Sequence, residues 1–427
     1  NSFTLPPNVI SDIVGQTSSP ATGDATAYPL NPSLLRIPFD YASPSFLVPY
    51  NGNRNDFSNF RWTGAGSDLS ETSLAYLLLA ETRLAAHFHN DDRFGRQNVS
   101  DYGAAERLKG MMLFNAIKQQ INDLDDGTYS LPRTFEGRCA MLLALAHVSR
   151  LVSLSSQPGS TTNRYEDNSL FTTVGGLMES DYQYLISNPL PTELEKLRLF
   201  SRCMFEYALA ITDNQRASQA RGYVLLAADN ALDETLADSV DKASLLVILY
   251  DALRFGASGE YRSEFRKAFI LLADEYDPYY GTFASRSRYS LDETAIVLEG
   301  LIAAHRYDQQ LIDSELSQNL IRGFVEGTWM LSGLVRSAWA PWEFPAHEQG
   351  LDDVNYRYPT LPYPLYAGGD NGIAPVFARQ VEFISFGGYW NVLDTLSYTP
   401  SLMYASDVLM RCNFEDFPEP DIPSYLQ

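Results

Sequence analysis

The segment richest in chemistry runs Tyr276-Asp277-Pro278-Tyr279-Tyr280-Gly281-Thr282-Phe283, followed by Arg286, Arg288 and Tyr289. Aromatic faces beside guanidinium donors on a loop are what saccharide or peptide binding requires: flat apolar surfaces plus bidentate hydrogen bonds. Tyr279, Tyr280, Arg286 and Arg288 are therefore expected to bind a ligand. The same segment admits a catalytic reading. β-Elimination of a uronate polysaccharide needs a cation to neutralise the carboxylate and a phenolate or imidazole to take the C5 proton. Arg288, Tyr289 and His305 would fill those roles. The plainer alternative is a helix–helix turn whose tyrosines pack on neighbouring stems and whose arginines pair with surplus acid.

A second aromatic stretch, 338–372, holds Trp339, Trp342 and Tyr363 among several prolines. Those three rings are expected either as a substrate platform or as a plug on a helical array. Patterns for metal binding are incomplete. His87 and His89 stand two apart and face different sides of a helix, leaving only His87 with Asp91 at chelating spacing. His347-Glu348-Gln349-Gly350-Leu351 begins like a zinc-peptidase motif, but Leu351 stands where the second His is needed. The acidic turn Asp123, Asp125, Asp126 and Gly127 misses the ligand spacing of a calcium loop. Nucleophile-elbow and phosphate-loop motifs are absent. No metal or other cofactor is expected.

The chain has 427 residues, with 31 Lys+Arg against 53 Asp+Glu and a formal charge of −22. Such acidity argues against nucleic acid and anionic membranes as partners. No apolar run approaches the roughly 18 residues of a membrane span. Three cysteines, Cys139, Cys203 and Cys412, allow one bridge at most. The opening Asn1-Ser2-Phe3-Thr4, the acidity and the few cysteines read as a bacterial exported protein, secreted or at the cell surface. Its expected partner is an extracellular protein or polysaccharide.

The elements that must position these residues are mostly helical. Residues 1–60 carry eight prolines and read as an extended arm, open to self-association. Residues 61–330 show one apolar stripe after another at helical spacing, for example Leu74, Leu77, Leu78, Leu84 and Phe88, or Leu236, Val240, Leu246, Leu249 and Leu253. Asp68 with Glu71, and Ser290 with Glu293, have capping-box spacing. Residues 331–427 read as the aromatic loop followed by helices over 373–385 and 401–411. The expected fold class is all-α: stacked helical hairpins forming an α-solenoid or an α/α toroid.

One set of residues points to a family. Thr63-Gly64-Ala65-Gly66-Ser67-Asp68, Glu71-Thr72, Tyr76-Leu77, Ala80, Phe88, Asn90 and Asp91 resemble the start of the activator domain of bacterial collagenases. The helix over 257–275, its Tyr276-to-Gly281 turn and the helix over 291–305 resemble a later part of it. The resemblance implies a helical-repeat domain that grips a protein substrate and leaves cleavage to a zinc peptidase domain. This chain lacks that domain's motif, so no catalytic residue carries over. Two functions are thus expected in competition: a non-catalytic module binding an extracellular protein or polymer, and an α/α-toroid polysaccharide lyase or glycoside hydrolase acting on an acidic polysaccharide. A structural surface or assembly protein is the third.

Overall fold

The computed structural model describes residues 41–42, 45–47, 61–63, 70–89, 100–127, 133–153, 165–257, 259–307, 314–334, 378–394, 397–412 and 419–426. Among these the chain is mostly α-helical with a few short strands. The helices are α1 (Glu71–His89), α2 (Ser100–Asp125), α3 (Phe135–Ser153), α4 (Asn168–Ser187), α5 (Leu194–Ala210) and α6 (Asn214–Leu232). They continue as α7 (Ser239–Arg254), α8 (Gly259–Asp274), α9 (Leu291–Arg306), α10 (Ser314–Phe324) and α11 (Thr399–Arg411).

Their starts follow local chemistry. Asp167, Asp213 and Asp238 each cap the free N–H groups of the following helix. Ser290 and Glu293 make the expected reciprocal box on α9. At α1 the Ser70 Oγ accepts from Ser73 N at 3.1 Å; Asp68 of the expected Asp68–Glu71 box lies outside the described residues. Glu71 is turned to Arg138.

Burial sorts the helices into two kinds. α3 buries 13 of its 19 residues, α5 14 of 17, and α7 14 of 16. By contrast α4 buries 6 of 20 and α8 only 4 of 16, along a single stripe. A helix apolar nearly all round must be surrounded, and a striped one lies outside it. The packing agrees: α1 lies on α3, α3 on α5, α5 on α7, α7 on α9, α9 on α11, and α11 back on α1. The even-numbered helices flank these, α2 on α1, α4 on α3, α6 on α5 and α7, α8 on α7, and α10 on α9.

Side-chain contacts show that the six inner helices share one direction. Glu136 at the start of α3 pairs with Lys196 at the start of α5 (3.3 Å), and Ser401 of α11 bonds Asp292 of α9. Near the other end, Arg83 of α1 pairs with Asp407 of α11, and Arg150 of α3 with Glu206 of α5. Most of the strands collect at the N-terminal end. β1 (Tyr41–Ala42) pairs with β9 (Ser397–Tyr398) beside the start of α11, while β2 (Ser45–Leu47) pairs with β3 (Arg61–Thr63). β4 (Tyr276–Asp277) and β5 (Thr282–Phe283) form a hairpin. β6 (Arg288–Ser290), β7 (Gln380–Ile384) and β8 (Tyr389–Asp394) form an antiparallel sheet.

The helix expected over 373–385 is therefore corrected: its described part contains strand β7. Val381 and Phe383 are buried in alternation with half-buried neighbours, a period of two that no helix face satisfies. The helix expected over 401–411 is present as α11. The acidic turn lies at the end of α2, where Asp123 accepts from Gln119 at 2.7 Å, an i,i+4 pair within the helix.

Glu71 on α1 and Asp181 on α4 share one cation, Arg138 of α3. Burial dominates at both carboxyls and lifts Glu71 to about 7 and Asp181 to about 6. A raised acid binds its proton more tightly folded than unfolded, so its stabilising contribution is complete below about 4.5 and lost as pH rises through about 7. Unfolding free energies from urea titrations between pH 4.5 and 7.5 are expected to fall more in the wild type than in Glu71→Gln, by on the order of 2 kcal/mol.

Candidate functional site

At the N-terminal end of the inner helices the β4–β5 turn is held rigidly. Asp277 Oδ1 accepts from the backbone N–H of Tyr279 (2.9 Å) and of Tyr280 (3.3 Å). Gly281 closes the turn with φ +63°, donating to Asp277 O at 2.8 Å. Beneath it a π-helical segment, Val325–Leu331, continues α10, and Thr328 Oγ1 donates to Gly281 O at 2.6 Å.

An aromatic stack then runs outward from the core. Buried Tyr289 lies 6.3 Å from Trp390, Trp390 5.1 Å from Phe383, Phe383 4.7 Å from Tyr280, and Tyr280 4.6 Å from Tyr279. Tyr279, at its end, is 83% exposed. The β7–β8 turn comes up against this stack, with the Tyr280 hydroxyl lying 2.6 Å from where a Cβ on Gly388 would be. That turn presents Phe386, fully exposed, and Tyr389, 57% exposed. Leu331 of the π segment is 71% exposed. Two turns and a π segment thus present three aromatic rings and an aliphatic side chain on a packed base.

Two carboxylates stand on helix starts at the same end. Asp292, in the first turn of α9, is solvent-accessible and accepts from Ser401 Oγ at 2.6 Å. Desolvation by the surrounding protein nevertheless raises its carboxyl above the usual carboxylate range. Glu195, in the first turn of α5, is accessible and raised for the same reason. Arg198 couples to both. Below lie Tyr76 and Tyr404, ring centroids 5.2 Å apart, over the buried Arg198–Glu299 pair.

The expected site residues fall in different places. Tyr279 and Tyr280 meet in the aromatic stack. Arg286 is engaged as a clamp, pairing with Asp238 of the α7 cap and with Glu293 of the α9 box. Arg288 lies exposed on β6 and pairs across the sheet with Glu382 at 2.7 Å. Tyr289 is buried, 3.3 Å from Thr282 Oγ1, and burial raises its phenol, opposite to what a phenolate base needs. His305 occupies the last turn of α9 with Nδ1 2.9 Å from Ser317 Oγ. The helix between the two separates them by roughly 21 Å at 1.5 Å per residue. Arg288, Tyr289 and His305 therefore do not form one site. Trp339, Trp342 and Tyr363 lie outside the described residues, as do Asp91 and the 347–351 motif. The flanks of that stretch, Ala378 and Leu334, are joined by a 2.7 Å backbone hydrogen bond.

Phe386, Tyr389, Asp292 and Glu195 were not singled out from the sequence as site residues. Phe386-Gly387-Gly388-Tyr389 carried a signal, a glycine pair between aromatics that marks a hairpin turn. Among the described residues no group of His, Cys, Asp and Glu converges to hold a metal, and no helix is long and apolar enough to cross a membrane. All three cysteines are free. No family model, no curated protein and no solved structure matches the chain, so the likeness to collagenase activators rests on the quoted residues.

Proposed function

We propose that the six inner helices form the inner barrel of an α/α toroid, and that its N-terminal end binds a neutral extracellular polysaccharide. The observation that carries this reading is three exposed rings at one end of the helices, Tyr279 on one turn and Phe386 and Tyr389 on another, the two turns being packed against each other through Tyr280 and Gly388. Exposed rings on a rigid base stack on sugar faces without a large ordering cost. The chain's charge of −22 and the nearby Glu195, Asp292 and Glu293 disfavour a polyanionic ligand. A second reading, hydrolysis, is supported by the accessible carboxyl of Asp292, whose raised affinity for its proton suits a general acid. Glu195 would be its partner carboxylate.

Affinity electrophoresis through gels containing neutral or acidic polysaccharides tests the binding. Retardation by a neutral polymer is expected. Tyr279→Ala, Phe386→Ala and Tyr389→Ala should each weaken it roughly 2- to 10-fold, with unchanged urea midpoints. Retention on collagen fibrils with no retardation by any glycan would overturn the saccharide reading and favour the activator-like one. New reducing ends that disappear in Asp292→Asn, while retardation persists, would establish the hydrolase.

A further inference from the structure

The opposite, C-terminal end of the inner helices carries a different chemistry. There the segment 419–426 crosses the helix ends and sends one carboxylate inward. Glu419 pairs with Arg306 of α9 and with Arg254 of α7 at 2.9 Å. Arg202 of α5 and Arg411 of α11 lie 3.6 and 3.7 Å away. Four guanidinium groups from four inner helices thus converge on one side chain. They are held from behind: Arg254 and Arg202 stack on Phe205 at 4.9 and 5.7 Å, and Arg306 also donates to Arg411 O at 3.1 Å.

Glu419 supplies one of the few negative charges among them. Following the ion pairs from Arg198 to Glu299, Arg411, Glu419, Arg202, Asp251, Arg254 and Arg306 gives five guanidinium groups and three carboxylates. Among the described residues, removing Glu419 widens that excess of cations in a buried network. Such an excess has to be relieved by solvent, by local opening or by another anion. The arginines hold the Glu419 carboxyl near 2 despite its burial. The rest of the segment is anchored more lightly, through Leu426, which is buried, and Ile422. Arg254 also donates to Pro420 O.

We propose that Arg202, Arg254, Arg306 and Arg411 form an oxyanion-binding site at the C-terminal end of the inner helices, which Glu419 fills in cis as a stopper. The site takes carboxylates by size and planarity, and small oxyanions such as phosphate by charge. It is separate from the aromatic face and does not depend on what that face binds.

Chemical rescue tests it. Glu419→Ala vacates the carboxylate while leaving the arginines. In chloride buffer this variant is expected to melt below the wild type. Formate, acetate or phosphate at matched ionic strength should raise its melting temperature saturably, by at least about 3 °C, with no comparable rise in the wild type. Glu419→Asp should need no rescue. An equal response of variant and wild type to every anion would overturn the proposal, showing that the remaining acids and water neutralise the arginines. If Glu419→Ala does not fold in chloride, refolding yield reads the same question. Recovery in formate or phosphate but not chloride supports the site, and recovery in none overturns it.

Discussion

Glu299→Ala is expected to destabilise the protein by about 3–5 kcal/mol, because it takes from buried Arg198 and Arg411 the carboxylate they share. The Glu299 side chain is 3% exposed and its carboxylate takes Arg198 on one oxygen and Arg411 on the other, the latter at 2.5 Å. Tyr404 donates a third hydrogen bond at 2.8 Å. Burial alone would raise this acid, yet the surrounding arginines hold it far below the usual carboxylate range. A depressed acid contributes stability above its unfolded value near 4.5 and loses it only as pH falls through the folded value. The contribution is therefore complete across neutral pH. Glu299→Gln keeps the shape and an acceptor but not the charge, and should recover only part of the loss. Glu326→Ala removes a surface partner of Arg322, a pair with both side chains more than half exposed, and should leave the urea midpoint unchanged. Equal midpoints for Glu299→Ala and the wild type would show that water enters the network and solvates the arginines.

Gly281→Val should be the most damaging change at the aromatic face. Gly281 has φ +63°, a region in which a β-branched residue is strained. Space forbids it as well: a Cβ there would lie 2.3 Å from Gly323 O and 2.8 Å from the Gly327 Cα, both backbone atoms that cannot swing aside. Strain and overpacking together should cost about 2–4 kcal/mol. The turn has to lift off the π segment, which breaks the Thr328–Gly281 hydrogen bond and moves Tyr280, with Tyr279 beside it, off Phe383 and the β7–β8 turn. Far-ultraviolet circular dichroism should remain helical, while the urea midpoint falls and glycan retardation is lost. Retardation preserved at wild-type strength would mean that the two turns do not act as one surface.

Much of the local structure was legible in the sequence because it rests on neighbours in the chain. Helical stripes need only the 3.6-residue period, and the Ser290–Glu293 box needs only three residues of spacing. β7 misled the reading because Gln380-Val381-Glu382-Phe383-Ile384 is short and apolar enough to suit either period. Its partners, β6 and β8, decide the matter. The aromatic turn at 276–283 was recognisable, but its arginines were not separable into ligand-binding and structural ones. Arg286 is committed to Asp238, 48 positions away, and Arg288 to Glu382, 94 positions away.

What the sequence by itself determined is the all-α class, most helix extents, the acidic surface and an aromatic turn with the composition of a binding loop. The tertiary structure alone decided which helices lie inside, and hence where the charged residues go. Arg198 and Arg202 on α5 look like ordinary helix-surface cations until Glu299, 101 residues on, and Asp251, 49 on, arrive on neighbouring inner helices. It also put Tyr289 and His305 at opposite ends of one helix, and brought the turn that carries Phe386 and Tyr389 against Tyr280. The physical reason is common to all of these. A period reports which face of an element is apolar, whereas the worth of a charge or a ring depends on what faces it across space, and packing settles that.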